Sequence, residues 1–269
     1  MSLLKVENIS KSFKTLQVLR NVSLEVGPGE RHVIIGPNGA GKTTLFHCIT
    51  NILPIDAGAV YLDGKEISKL PAHRLVHLGI SRTFQKNNLF GDLTVEENIH
   101  LALAAKKPYR YDIFSPLTVR SDIRKETNDI LEQWEISDRR RVKVKHLSYG
   151  EQRLLEVLLA MASNPKVLLL DEPTSGMSPA ETAQTAAMIQ KLPRSIALVV
   201  VEHDMDVVFS IADRITVLHH GEVILSGSPD EIRNNEMVKE IYFGGGSETT
   251  CLSFKMSILI TERATFFKE

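Results

Sequence analysis

Three short stretches carry the residue types that chemistry on a phosphate requires. Gly36 to Thr44 reads GPNGAGKTT, with Gly36, Gly41, Lys42 and Thr43 in the register G-x-x-x-x-G-K-[ST]. Such a loop, running through Pro37, Asn38, Gly39 and Ala40 to Thr44, turns its backbone N–H groups on phosphate oxygens. Lys42 would meet the β- and γ-phosphates and Thr43 would ligate Mg²⁺. Further along, VLLLDEP sets Asp171 and Glu172 just past an apolar run. There Asp171 can support Mg²⁺ and Glu172 can polarise an attacking water, which is what separates hydrolysis from mere binding. The third stretch is LSYGEQR, Leu147 to Arg153, where a serine, a glycine and free N–H groups at a helix start can hold an anion. A second anion cradle makes sense if it serves a nucleotide bound to another subunit. Taken singly, each stretch has a plainer reading, as a glycine turn, two surface acids after a strand, or an ordinary helix cap.

These residues need a scaffold that presents them together. Short runs at Val33–Ile35, Val167–Leu170 and Ile196–Val201 are apolar and rich in β-branched residues, as strands buried on both faces of a parallel sheet are. The phosphate loop thus follows a strand and precedes a helix, expected over Thr43–Thr50, whose N-terminal partial charge adds to the cradle. Four helix starts read as capping boxes: Thr94 with Glu97, Ser148 with Glu151, Ser178 with Glu181, and Ser228 with Glu231. Pro179 and Pro229 suit the first helical position of the last two. Between about Lys86 and His146 the apolar residues recur at three and four, with Ile123, Thr127, Ile130, Leu131 and Trp134 as markers, which predicts a helical subdomain inserted in the α/β core. Arg214–Leu218 and Glu222–Leu225 flank a His220-Gly221 turn and read as a hairpin. The triplet Gly244-Gly245-Gly246 is expected to end helical order.

Composition narrows the class. A chain of 269 residues is long enough for one large domain with a subdomain. A formal net charge of −1 gives no general attraction to nucleic acid or anionic lipid. Cys48 and Cys251 lie far apart without metal or redox spacing, so each is expected as a free thiol, as in a reducing cytosol. The N-terminus lacks the pattern of a signal peptide, and no stretch approaches the roughly 18 apolar residues of a membrane span. Work at a membrane would therefore go through a partner.

LSYGEQR resembles the signature motif of ATP-binding cassette (ABC) proteins, and the other elements follow that family's order across about Leu4 to Gly244. Phe13 stands where an aromatic stacks on adenine, and the Gly36–Thr44 loop follows it. Then come Gln85 in the glutamine loop, the signature, VLLLDEP, SGMSPAE, and His203 in VVVEHD. The resemblance implies an α/β P-loop fold with a parallel core sheet, an antiparallel β portion and an inserted helical subdomain at about 86–163. It implies a single nucleotide-binding domain over 3–246, with a tail over 247–269 that no motif explains.

The resemblance also implies an ATPase that binds ATP with Mg²⁺ and closes head to tail with a second cassette, alike or paralogous. Each nucleotide would lie between one subunit's phosphate loop and the other's Ser148, Gly150 and Glu151. Gln85 would sense Mg²⁺ and the water, and His203 would contact the γ-phosphate. The implied place is the cytoplasmic face of the membrane, bound to permease subunits and served by an external substrate-binding protein, with no nucleic acid. Two departures bear on this. Tyr149 and Glu151 replace the commonest glycine and glutamine of the signature, and Ser178 replaces the usual aspartate of the loop after VLLLDEP. Gly79 to Ile99 and the LSYGEQR variant look like cassettes of branched-chain amino acid importers. Urea or amide importers, lipopolysaccharide exporters and non-transport ABC ATPases are the alternatives.

Overall fold

The computed structural model describes residues 2–83, 89–106 and 121–243. Gln85, Cys251, Gly244 to Gly246 and the tail over 247–269 lie outside them.

Two sheets organise the chain. The larger has the order β10-β9-β3-β8-β7-β6. Its parallel part is built from β3 (Arg31–Ile35), β6 (Ile80–Arg82), β7 (Val167–Asp171), β8 (Ala197–Val201) and β9 (Arg214–His219). Strands β3, β7 and β8 are buried at every position, which is why Val33–Ile35, Val167–Leu170 and Ala197–Val201 within them read as continuous apolar runs, while β3 also buries Arg31 and His32 and β7 ends in the buried Asp171. An antiparallel edge strand, β10 (Glu222–Gly227), joins β9 through the expected turn, with His220 at φ 47° and Gly221 at φ 81°. Two consecutive positive φ values are what a tight I′ hairpin needs.

The smaller sheet, β2-β1-β4-β5, contains β1 (Leu4–Phe13), β2 (Leu16–Val26), β4 (Ala57–Leu62) and β5 (Lys65–Glu66), all antiparallel. It packs with α1 (Lys42–Ile49) on one face of the larger sheet, through Ile34, Leu169, Val199 and Val201. The alternate residues Val33, Ile35, Leu168, Leu170, Leu198 and Val200 face the other way. There they meet α5 (Tyr149–Met161), α6 (Pro179–Lys191), α7 (Met205–Ile211) and α8 (Pro229–Asn234). Helix α1 begins at Lys42, one residue before the sequence pattern suggests.

A third apolar cluster lies among α3 (Val95–Lys106), α4 (Ser121–Gln133) and α5, gathering Val95, Ile99, Leu103, Ile123, Leu131 and Leu155. Trp134, expected in this group by its spacing, instead packs against the helix-side core of the larger sheet. The chain turns out of helix there, with Glu135 at φ 55°.

All four capping boxes form. Thr94 and Glu97 exchange hydrogen bonds, and Ser148, Ser178 and Ser228 cap α5, α6 and α8 with Glu151, Glu181 and Glu231 reaching back. Ser178 is thus engaged as a helix cap. Ser178→Ala is expected to cost about 1 kcal/mol in urea unfolding, and Ser178→Asp, which can accept the same N–H, far less.

Candidate functional site

The register of the central strands levels three chain segments. Ile34 on β3 and Asp171 on β7 both pair with Val201 of β8. The phosphate loop, Glu172 and His203 therefore leave the sheet side by side at its C-terminal edge, where open α/β sheets bind ligands.

The loop is close-fitted from behind. A Cβ on Gly36 would lie 2.1 Å from the Leu218 carbonyl oxygen, and Gly41, at φ 103°, would press on Leu19 at 2.8 Å. The hairpin turn buttresses the loop, since the Gly221 N–H donates to the Ala40 carbonyl at 3.1 Å. Asn38 and Gly39 stay exposed at the tip, flanked by half-buried Pro37 and buried Ala40. Thr43 and Thr44 open α1, both half-buried. Lys42 is buried and donates Nζ to the carbonyls of Gly36 at 2.7 Å and Pro37 at 3.1 Å. Burial pushes its pKa down, while Glu172 and Asp171 favour the charged form.

Asp171 has no exposed surface. One oxygen accepts from Arg82 Nη2 at 2.7 Å, and the other, Oδ1, has no hydrogen-bond partner. An orphaned buried carboxylate oxygen, on a side chain near enough to Lys42 of the loop to act on its charge, suits a hard cation with oxygen ligands. Arg82 was not singled out by the sequence. It also stacks 5.5 Å from the centroid of the Phe46 ring. Glu172 follows in the left-handed region at φ 47°, its N–H donating to the Val201 carbonyl at 2.9 Å. A non-glycine residue there holds backbone strain of about 1–3 kcal/mol, a feature that concentrates at functional sites.

His203 is largely exposed, while its neighbour Glu202 is completely buried. Phe13 ends β1 with 44% of its surface exposed. The Lys11 ammonium lies 5.8 Å from its ring, and Asp56 holds both Lys11 and the Ser12 N–H. One face of the ring is thus backed by a cation on a fixed strand end.

The signature serine and Tyr149 are exposed at the start of α5, and Gly150 faces the Glu181 side chain of α6. Glu151 is turned back on its own helix. It accepts from the Ser148 N–H at 2.8 Å and pairs with Arg139 at 2.6 Å. Burial would raise its pKa, but the Ser148 N–H and Arg139 more than offset this, so the carboxyl sits below its usual range. The carboxylate that departs from the common signature is therefore already occupied.

Among the described residues no cluster of three or more His, Cys, Asp or Glu could hold a metal, and no helix is long and apolar enough to cross a membrane.

The ABC transporter family model matches residues 19–175. The high-affinity branched-chain amino acid transport ATP-binding protein LivG of Escherichia coli is 35% identical over 251 residues, covering 90% of this chain and 98% of LivG. The lipopolysaccharide export system ATP-binding protein LptB of Haemophilus influenzae is 34% identical over 245 residues, covering 91% and 98%. Among solved structures, the ADP conformation of MJ1267, an ATP-binding cassette of an ABC transporter, superposes with a TM-score of 0.81 at 32% identity, covering 91% of this chain and 99% of that one. The fold that carries the phosphate loop, Asp171 at the end of β7 with Glu172 after it, and His203 beyond β8 is that of these cassettes, and the chain belongs to the ABC transporter family as one of its ATP-hydrolysing cassettes.

Proposed function

We propose that this cassette powers an importer of branched-chain amino acids, as half of a two-cassette assembly docked on membrane permeases at the cytoplasmic face. The observation that carries the reading is the near end-to-end similarity to LivG, together with the exposed start of the signature helix. The exposed Ser148 and Tyr149 open the helix toward solvent, where they can meet a nucleotide held by a second cassette, while the half-buried Gly150 N–H donates to Glu181 and would have to exchange that partner for phosphate. An external binding protein would deliver the cargo, and no nucleic acid enters the scheme.

Within the site, the amides from Gly36 to Thr44 bind the phosphates, and Lys42 turns its Nζ from the loop carbonyls to the β- and γ-phosphates. Thr43 and Asp171 would hold Mg²⁺, with Gln85 as the ligand from the glutamine loop; the orphaned Asp171 Oδ1 supports this. The ion, when bound, offsets phosphate charge. Glu172 orients the water and takes its proton, His203 contacts the γ-phosphate, and Phe13 stacks on adenine. Hydrolysis removes the γ-phosphate that both cassettes grip, so the pair opens and the permeases move.

The test is to tag Glu172→Gln, load it with Mg²⁺·ATP in its own cells, and identify what co-purifies from detergent-solubilised membranes. Two permeases and a second cassette are expected, followed by uptake of labelled leucine that depends on the gene. Recovery of a lipopolysaccharide exporter's partners, or of soluble protein alone, would overturn the cargo assignment.

A further inference from the structure

Glu202 is fully buried at the end of β8, yet neither the phosphate chemistry nor the core needs a carboxylate there. Its two oxygens are divided between two segments of the crest. Oε1 accepts from the Thr174 N–H at 3.0 Å and from the Thr174 hydroxyl at 2.5 Å. Oε2 accepts from the His203 N–H at 2.9 Å and the Asp204 N–H at 3.4 Å. Thr174 lies two residues beyond Glu172, is itself only 5% exposed, and belongs to the turn in which the Ser175 N–H donates to the Glu172 carbonyl. One side chain therefore ties the turn that carries Glu172 to the peptide that carries His203.

We infer that Glu202 and Thr174 form a positioning pair that fixes the water-orienting Glu172 and the phosphate-facing His203 relative to each other. The inference rests on the roles proposed above for those two residues. The physical case is that neither residue is fixed by a close hydrogen bond from its own side chain, the His203 ring reaching Glu202 Oε2 only at 3.8 Å. Glu172 occupies a left-handed backbone conformation, and His203 projects a mostly exposed ring from the end of a strand. Strained or projecting groups keep productive geometry only when neighbouring structure over-determines it. Glu202 supplies that restraint to both segments at once. Four bonds to a buried carboxylate are charge-assisted and strong, and an amide at this position could not accept from donors on both sides. The Thr174 hydroxyl is the adjustable member. It can be removed without changing side-chain volume, and serine can replace it.

The test uses the full chain. Thr174→Val, Thr174→Ser and Glu202→Gln are made in the wild-type and His203→Ala backgrounds, and Mg²⁺·ATP turnover is normalised to the fraction that binds a fluorescent ATP analogue. Thr174→Val is expected to lower kcat about tenfold with KM for ATP within roughly twofold, since the lost hydrogen bond acts on geometry and not on nucleotide contact. Thr174→Ser should restore turnover, and Glu202→Gln should fall at least as far as Thr174→Val. In the His203→Ala background the Thr174→Val penalty should shrink, because both changes act on one unit. Wild-type turnover for Thr174→Val, or an equal penalty in both backgrounds, would overturn the pair while leaving His203 in place. Wild-type turnover for His203→Ala alone would instead remove the site assignment on which the inference stands.

Discussion

Glu172→Gln is expected to lower ATP turnover by about 10²–10³-fold while nucleotide affinity stays within a few-fold, because positioned proton transfer contributes on that scale. Glutamine keeps the length and planarity of the side chain and can still accept a hydrogen bond from the water, but it cannot take the proton. The backbone that presents it does not depend on the carboxylate: the Glu172 N–H is held by the Val201 carbonyl and its carbonyl by the Ser175 N–H. Only the base function is then lost. One electrostatic consequence runs alongside. Burial pushes Lys42 down in pKa, and Glu172 is one of the two carboxylates that oppose the shift. Its neutralisation moves Lys42 further toward the neutral amine, so the variant should lose affinity for ATP at alkaline pH earlier than wild type. Phosphate release reads turnover, and thermal stabilisation by ATP reads binding, with about 2.7 kcal/mol expected at a hundredfold excess over Kd. Equal turnover in variant and wild type would take Glu172 out of the mechanism.

The parts of this crest that were legible from sequence share a property: each is encoded by neighbours along the chain. Val33–Ile35 and Val167–Leu170 read as strands because both sheet faces are buried, and Ser148–Glu151 or Ser228–Glu231 read as caps because the two groups that bond are three residues apart. The smaller sheet was implied by family resemblance alone. In β1 the alternation of Leu4 and Val6 breaks at Asn8, whose φ of 47° introduces a bulge, and resumes out of phase at Ile9. A period-two search loses such a strand. The buried polar pairs were invisible for another reason. Arg82 meets Asp171 across 89 residues and Thr174 meets Glu202 across 28, and no spacing rule links single residues that far apart. They become apparent only when β6, β7 and β8 lie side by side. Glu151 shows the reverse case: a local rule, the capping box, together with Arg139, accounts for a residue that family comparison alone would treat as an anomaly at a nucleotide contact.

The Arg82–Asp171 pair leads to the largest expected effect on stability. Both side chains are almost wholly inaccessible, at 5% and 0% exposure. Burial pushes the Arg82 pKa down, and Asp171 pulls it back toward full charge. A buried pair of this kind adds little net stability over an apolar replacement, yet removing one member strands the other, at a cost of about 3–5 kcal/mol. Arg82→Met should therefore lower the urea midpoint markedly and reduce the melting temperature by roughly 6–15 °C for a chain of this size. The double variant Arg82→Met/Asp171→Asn removes the stranded charge and should recover most of that loss, although it gives up a proposed Mg²⁺ ligand. The comparison separates two causes. Arg82 also packs its guanidinium on Phe46 and reaches the Thr50 hydroxyl at 3.4 Å. If the double variant were as unstable as Arg82→Met, the loss would belong to that packing, and the ion pair would be a bystander. Recovery would instead mean that Arg82 serves chiefly to balance the Asp171 carboxyl group at the C-terminal end of β7, the position proposed above to hold Mg²⁺.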